Sequence, residues 1–345
     1  MVTFDVSKNW VILVPPGVKA ARKAAEDLAH SIRFLAGRQD GPELREVSSP
    51  GTPENGPVII LSNDSGRPEG RGFFWKLGEN RIEILGQGEE GLCKGIFDFL
   101  SALGFKWPEP VSAKDSFENE ILPPLQDGKI YSLKTSQTQV SGGGPATGSW
   151  KRLVIPEKSQ TLHDPKKRAD LMLWAIRNSF DAVVFPFDCP EGVSEETKPF
   201  ALASETGGWV ISRLIPRRLF LFHQELFRME GGKRQKKIHF CPTNPGAIAI
   251  LRSESKKLFQ SSENRVFHLW PEQGKEDTWC SCPSCRAFTK DEQYRIAVNA
   301  IGDALAEVYP DAFISLLDST GEEGDIPLRP NVFRINPQDI VTLRW

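Results

Sequence analysis

Between residues 239 and 318, short apolar runs alternate with stretches of helical periodicity. Asn244, which is followed by proline, is predicted to cap one helix, and Thr289, which has a glutamate three residues later, is predicted to cap the next. The apolar runs 266–270 and 313–317 are predicted strands. Strands that alternate with helices at this spacing form parallel sheets joined by crossover helices. The sequence therefore predicts an α/β fold in this part of the chain.

The first third of the chain predicts a smaller α+β unit. Two apolar runs flank Gly78-Glu79-Asn80, which is typical of a β-hairpin. Two helical faces are each followed by a glycine, Gly37 and Gly104, in the place where a helix commonly ends. We expect a small sheet with both helices on one face, and no catalytic group stands out in it.

Length, charge and hydropathy narrow the classes of function. The 345 residues are enough for two domains, and the net charge of −2 gives no reason to expect a nucleic-acid partner. The basic cluster 233–237 is interpreted as a solvated loop. No apolar stretch is long enough to cross a membrane, and residues 1–9 lack the layout of a secretory signal. As written, the chain is predicted to be cytoplasmic, or exported if its true start lies upstream.

Three of the six cysteines, Cys280, Cys282 and Cys285, fall within six residues. Such crowding fits a metal site or a reduced loop better than a disulfide framework. A fourth ligand could come from Cys241 or His239, and four protein ligands would make a bound zinc structural. Reduced, partly buried thiols are the alternative, because the second Cys-x-x-Cys pair of a typical zinc motif is absent.

The end of the N-terminal unit resembles a domain of known glycoside hydrolases. The helix reading Gly95-Ile96-Phe97-Asp98-Phe99-Leu100 exits through Gly104-Phe105-Lys106-Trp107-Pro108-Glu109-Pro110. This pattern is similar to the accessory domain that precedes the barrel in family 20 β-hexosaminidases and in α-glucuronidases, with Lys106 where arginine is usual. We therefore assign residues 1–125 to an accessory domain of this type and residues 126–345 to a partial TIM-type (β/α) barrel with a Cys-rich loop.

Motifs further along the chain resemble the domain of unknown function 4838, whose characterised relatives are endo-β-N-acetylglucosaminidases of glycoside hydrolase family 163. In the family's order, the chain reads Gly207-Gly208-Trp209, His223-Gln224-Glu225, Cys241-Pro242-Thr243-Asn244-Pro245, Trp270-Pro271 and then the three clustered cysteines. It departs from the family at Trp209, where histidine is typical, near Glu272, where aspartate is typical, and at Asp318, where tyrosine is typical. The resemblance implies hydrolysis of glycans that contain β-linked N-acetylhexosamine, with no cofactor required.

Acidic residues follow three predicted strands. The active site of a parallel α/β barrel lies at the carboxyl ends of the strands. Glycoside hydrolysis commonly uses a general acid with a second carboxylate or with the acetamido group of the substrate. Glu272 and Asp318 are the predicted catalytic residues, and Asp188, Trp209 and Trp270 are predicted to contact the sugar. Helix capping is the ordinary alternative for such acids, and core packing is the alternative for the tryptophans.

The predicted barrel is incomplete. A (β/α)8 barrel has eight strands in about 250 residues. Here only five strand signals precede the end of the chain, near Ile130, Val183, Phe267, Phe313 and Val332. We therefore expect either a C-terminally truncated chain or an unfinished barrel. A non-catalytic carbohydrate-binding or scaffold protein, an inactive fragment and a metal-stabilised interaction module remain alternatives to an active hydrolase.

Overall fold

The computed structural model describes residues 3–48, 56–64, 72–109, 130–132, 141–144, 150–271, 279–318 and 324–343. Its α-helices are α1 (Lys19–Ala36), α2 (Gly88–Leu103), α3 (Pro165–Arg177), α4 (Pro245–Gln260) and α5 (Lys290–Val308). Its strands are β1 (Thr3–Asp5), β2 (Val11–Val14), β3 (Glu43–Glu46), β4 (Val58–Asp64), β5 (Phe73–Leu77), β6 (Arg81–Gln87), β7 (Ile130–Ser132), β8 (Ser141–Gly144), β9 (Arg152–Val154), β10 (Ala182–Phe185), β11 (Ala203–Gly208), β12 (Met229–Glu230), β13 (Lys233–Arg234), β14 (Val266–Leu269), β15 (Phe313–Leu317), β16 (Val332–Ile335) and β17 (Ile340–Thr342). Within these ranges, none of the helices combines the length and the apolar character needed to cross a membrane.

The N-terminal unit is built on a six-stranded sheet with the order β3-β2-β4-β6-β5-β8. Strands β3, β2, β4 and β6 are parallel, and β5 returns antiparallel beside β6 through the predicted hairpin. Ile12 and Ile84 from the sheet share one buried apolar cluster with Leu28 of α1 and Ile96 of α2. Both helices therefore cover the same face of the sheet, as the sequence predicts.

The second sheet has seven parallel strands in the order β16-β15-β14-β11-β10-β9-β17. Val154 of β9 and Ile335 of β16 belong to the same buried cluster although four strands separate β9 from β16 in the sheet. Only residues 336–339 join the two edge strands, β16 and β17, so these strand ends lie within about 18 Å of each other. The sheet is therefore curled, and the predicted partial TIM-type barrel is confirmed.

The barrel strands differ from the sequence prediction in detail. The predicted first barrel strand near Ile130 is wrong, because β7 pairs antiparallel with β1. Strands β9, β11 and β17 were not predicted, since β9 and β17 have three residues each and β11 reads Ala-Ser-Glu-Thr-Gly-Gly without an apolar run. Strand β8 also pairs with β5 of the N-terminal sheet, and the division at residues 125 and 126 stays a prediction.

The two helices that follow β11 and β14 begin where the sequence predicts. The side-chain oxygen of Asn244 accepts a hydrogen bond from the Ala247 N–H at 3.1 Å, at the start of α4. At the start of α5, the Thr289 hydroxyl accepts from the Glu292 N–H at 3.2 Å, and the Glu292 carboxylate accepts from the Thr289 N–H at 2.6 Å. These caps satisfy backbone donors that a helix start leaves open. The two caps therefore fix the residues at which the loops end and helices α4 and α5 begin.

Ion pairs join the N-terminal unit to the barrel. Lys94 of α2 forms a buried ion pair with Asp181, which directly precedes β10. The other carboxylate oxygen of Asp181 accepts a hydrogen bond from the Lys151 N–H at 2.6 Å. Arg177 at the end of α3 donates to both carboxylate oxygens of Asp27 in α1, at 2.9 and 2.6 Å. These contacts hold α1 and α2 against the side of the barrel formed by β9, β10 and α3.

Candidate active site and metal centre

The carboxyl ends of the parallel strands lie at one edge of the barrel, which we call the mouth. A groove of about 260 Å³ at the mouth is lined by residues that end β9 and by the segment Gly207 to Val210, which ends β11. A neighbouring groove of about 360 Å³ shares Val210 and Arg213 with the first and includes Asp188, which is exposed. The Arg213 side chain pairs with the Glu157 carboxylate where the two grooves adjoin.

Trp209 and Trp270 lie together at the mouth, as two of the predicted sugar contacts. Their ring centroids are 5.2 Å apart, with the planes inclined at 56°. Trp209 is half-buried and lines the first groove, whereas the Trp270 side chain has no exposed surface. A direct contact of Trp270 with a sugar stays a prediction and would require the covering side chains to move. In the observed arrangement Trp270 supports Trp209 from below.

Gly207 is needed for the close approach of β11 to β14. It has a φ of +140°, and a Cβ atom built there would lie 1.9 Å from the carbonyl oxygen of His268. Beyond this point, the Trp270 N–H donates to the Gly208 carbonyl at 2.8 Å, and the Ile211 N–H donates to the Trp270 carbonyl at 3.0 Å. Only glycine fits the backbone at residue 207, and the two hydrogen bonds then fix the chain on both sides of Trp209.

Of the two predicted catalytic residues, the structure describes Asp318 and not Glu272. Asp318 follows β15 and is 7% exposed. Its carboxylate lies 3.3 Å from a guanidinium nitrogen of Arg334, and its N–H donates to the Ile335 carbonyl at 2.9 Å. Glu272 lies outside the described residues, two positions after Trp270. Both catalytic roles stay predictions.

A polar network that the sequence did not predict fills the barrel interior below the mouth. Arg152 donates to both carboxylate oxygens of Glu205, at 2.6 and 3.3 Å. The same carboxylate accepts from His268 Nε2 at 2.8 Å. His268 Nδ1 lies 2.6 Å from the Ser315 hydroxyl oxygen, and this oxygen accepts a hydrogen bond from Trp270 Nε1 at 2.8 Å. Five side chains from neighbouring parts of the sheet are thus linked in one buried chain of hydrogen bonds.

The network is fully satisfied when His268 is neutral. Burial alone would raise the pKa of Glu205, but His268 and Arg152 together hold this pKa below its usual value. Burial lowers the pKa of His268, although Glu205 opposes the shift. With a proton on Nε2 only, His268 donates to Glu205 and accepts from the Ser315 hydroxyl, which in turn accepts from Trp270. We assign this tautomer because it gives each hydrogen of the chain an acceptor.

The free energy of unfolding is expected to fall as the pH drops below about 6.5. Unfolded His268 binds a proton in this range and folded His268 does not, so the loss is about 1.4 kcal/mol per pH unit until the lowered pKa is reached. Glu205, whose pKa is also lowered, adds a further loss as the pH falls below about 4.5. Urea unfolding between about pH 7.5 and about pH 5 measures the slope. A His268→Gln variant is expected to show a flatter curve, and equal slopes would contradict the assignment.

Sequence reasoning missed Arg152, Glu205 and Ser315 because nothing local marks them. Arg152 lies 53 residues from Glu205, and Glu205 lies 63 residues from His268. A usable signal for Arg152 and Glu205 was the charge of each residue within a short strand of a parallel barrel, since charged residues are buried there only when they are paired. That signal requires β9 and β11 to be recognised as strands first.

The predicted metal-ligating cysteines come together in one buried cluster. The Sγ atoms of Cys241, Cys280, Cys282 and Cys285 all lie within 4.8 Å of one another, and the Cys241 sulfur is 3.7 Å from those of Cys282 and Cys285. A tetrahedral zinc with bonds of about 2.3 Å separates its sulfur ligands by about 3.8 Å. A disulfide would instead bring two sulfurs to about 2 Å. The four sulfurs therefore have the spacing of a tetrahedral metal site.

Cys241, and not His239, is the fourth member of the cluster. The His239 ring stacks on Trp279, with the ring centroids 4.5 Å apart. Gln293 of α5 braces the cysteine loop, because its side-chain oxygen accepts from the Cys280 N–H at 3.0 Å and its nitrogen donates to the carbonyls of Cys280 and Cys285. The cluster thus ties the loop after β11 to the loop after β14, above the barrel.

The thiols of the cluster influence one another strongly. Hydrogen bonds from Cys280 and Cys285 lower the pKa of Cys241, and hydrogen bonding to Cys241 raises the pKa of Cys280 and of Cys285. A soft divalent cation would allow all four sulfurs to ligate as thiolates.

The fold is similar to that of glycoside hydrolases in two families. A chitobiase of family 20 from Flavobacterium johnsoniae gives a TM-score of 0.53 at 10% identity, over 100% of this chain and 53% of that chain. The family 20 β-N-acetylhexosaminidase of Streptomyces coelicolor A3(2) gives 0.51 at 10% identity, over 96% and 65%. A family 115 4-O-methyl-α-glucuronidase gives 0.50 at 12% identity, over 99% and 46%. The chain thus spans between 46% and 65% of the length of these proteins.

The family itself is not established by sequence. No family profile matches the chain, and no curated protein matches it. The resemblance to the domain of unknown function 4838 and to family 163 therefore stays a prediction. The accessory unit, the curled parallel sheet and the structural similarity together define a protein with a glycoside-hydrolase-like fold.

Proposed function

We propose that the mouth of the barrel binds glycans that contain β-linked N-acetylhexosamine and that the protein is a glycoside hydrolase of this class. The observation that carries the proposal is Trp209, a half-buried ring that lines a groove at the mouth of a barrel similar to family 20 enzymes. An aromatic face held in a groove offers a flat apolar surface to a sugar ring. Asp188 in the adjoining groove supplies an exposed carboxylate for sugar hydroxyls.

In this proposal Glu272 is the general acid and Asp318 is the second carboxylate. In the sequence the two residues follow β14 and β15, which are neighbouring parallel strands of the sheet. The acetamido group of the substrate is the alternative nucleophile in this class of reaction. The reaction needs no metal or organic cofactor.

Carbohydrate binding without turnover is the second candidate function. It is favoured by Asp318, whose buried carboxylate is paired with Arg334. Incubation with a chitooligosaccharide, followed by an assay for new reducing ends, distinguishes the two candidates. Turnover that is lost in a Glu272→Gln variant, with binding kept, supports the hydrolase. Binding by the wild type without turnover supports the second candidate, and no binding contradicts both.

We further propose that the four-cysteine cluster holds a structural zinc. Its support is the sulfur spacing and the burial of all four residues. Four protein ligands leave no open position for water or substrate, so the ion would stabilise the loops and take no part in the reaction. It would fasten residue 241 to residues 280–285 and so fix the loops on one side of the mouth.

A further inference from the structure

We propose that Arg234 is the charge-compensating residue of the four-cysteine site and sets its affinity for a soft divalent cation bound by four thiolates. This inference rests on the proposed metal site. It also gives a function to one residue of the basic cluster 233–237, which the sequence indicates only as a solvated loop.

Arg234 lies on the β12–β13 hairpin, directly beside the cysteines. One of its guanidinium nitrogens donates to the Phe227 carbonyl at 2.6 Å and lies 3.9 Å from the Cys280 sulfur. The same sulfur accepts a hydrogen bond from the Met229 N–H at 3.2 Å. The hydrogen bond to Phe227 fixes the guanidinium in place, so its charge is held towards the sulfurs.

The hairpin and the cysteine loop are also joined through their backbones. The Ser281 N–H and hydroxyl both donate to the Met229 carbonyl, at 2.8 and 2.7 Å. The position of Arg234 relative to Cys280 therefore does not depend on a flexible surface side chain alone. Half-burial of Arg234 further limits the screening of its charge by water.

Charge balance explains why a positively charged side chain is needed beside a metal ion bound by four thiolates. Four thiolates around a divalent ion carry a net charge of −2, and the four cysteines are buried. A buried charge is costly unless it is paired and hydrogen-bonded. Arg234 supplies one positive charge, while the Met229 N–H and the Thr243 hydroxyl, 3.1 Å from the Cys285 sulfur, supply hydrogen bonds. Outer contacts of this kind typically change metal affinity by about 10-fold to about 100-fold.

The ligand set also defines the class of metal. Thiolates favour soft or borderline cations over magnesium and calcium, and tetrahedral spacing favours zinc. Cobalt(II) binds such sites as a spectroscopic probe, because thiolate-to-cobalt absorption reports the sulfur ligands directly. Cobalt and zinc therefore serve as the two test ions.

The test uses the full chain, stripped of metal under reducing conditions. Cobalt(II) titration reports whether sulfur ligates the ion, and competition with a chromophoric chelator gives the zinc affinity. An Arg234→Met variant is expected to bind zinc about 10-fold to about 100-fold more weakly than the wild type. An Arg234→Lys variant, which keeps the charge, is expected to bind more tightly than Arg234→Met. A Lys233→Met variant removes a neighbouring exposed charge from the same hairpin and is expected to bind as the wild type does.

The outcomes separate this inference from the proposed zinc site. Absence of zinc and cobalt binding in the wild type overturns both. Tight binding by the wild type and equally tight binding by Arg234→Met overturns only the role of Arg234. An equal loss in Lys233→Met shows a general charge effect and also overturns the specific assignment. If Arg234→Met fails to fold by circular dichroism, Arg234→Gln replaces it in the same comparison.

Discussion

Replacing Cys285 with alanine is expected to abolish metal binding and to lower the free energy of unfolding by at least about 4 kcal/mol. A ligand present at about 1,000 times its dissociation constant stabilises the folded state by about this amount, and structural zinc sites commonly bind more tightly. The cysteines and the partly buried Met229 form a small cluster of their own, apart from the larger apolar cluster that contains Phe240 and Trp279. Metal analysis and urea unfolding of the purified protein measure the two effects.

Cys189 provides the matched control for this experiment. It is a half-buried cysteine that lies outside the four-residue cluster. A Cys189→Ala variant is expected to retain one metal ion per chain and to unfold at nearly the same urea concentration as the wild type. A wild-type protein without metal, or a Cys285→Ala variant as stable as the wild type, would show that the cluster is a set of reduced thiols.

Replacing Glu205 with glutamine is expected to cost about 3 kcal/mol of unfolding free energy. The change keeps the shape of the side chain and its acceptor for His268, but it leaves the Arg152 guanidinium buried without its counter-charge. Breaking a buried ion pair by removing one partner typically costs about 3–5 kcal/mol. Urea unfolding at about pH 7.5 measures the loss, because His268 is neutral there in both states.

The double variant Arg152→Met with Glu205→Gln identifies the cause of that loss. Removing the arginine as well takes away the uncompensated charge, so the double variant is expected to be more stable than Glu205→Gln alone. Effects of the two changes that simply add would contradict the account. In that case the loss would come from packing in the barrel and not from the charge on Arg152.

Local signals in the sequence predicted the parts of the fold that depend on neighbouring residues. The caps at Asn244 and Thr289 involve atoms three residues apart, and the structure contains both. The crowding of Cys280, Cys282 and Cys285 is equally local, and it led to the cluster that Cys241 completes. The apolar run 313–317 likewise predicted a strand, and the structure contains it as β15 with the same bounds.

Features that depend on distant pairing were beyond the same reasoning. Strand β11 is polar in sequence because Glu205 is neutralised by Arg152 and His268, which only the barrel brings near. Residues 130–132 have a strand-like sequence, but the availability of β1 as a partner, and not their own pattern, decides which sheet they join. Trp209 was a predicted sugar contact, whereas its support by Trp270 required the structure.

The central claim is that Trp209 marks a carbohydrate site at the mouth, and calorimetric titration with a chitooligosaccharide tests it most directly. The wild type is expected to bind, and a Trp209→Ala variant is expected to bind at least about tenfold more weakly, which corresponds to about 1.4 kcal/mol. Trp150, which lies two residues before β9 at the opposite end of the strand, is partly exposed, so Trp150→Ala is the matched control and is expected to bind as the wild type does. No binding by the wild type, or equal binding by Trp209→Ala, would contradict the account.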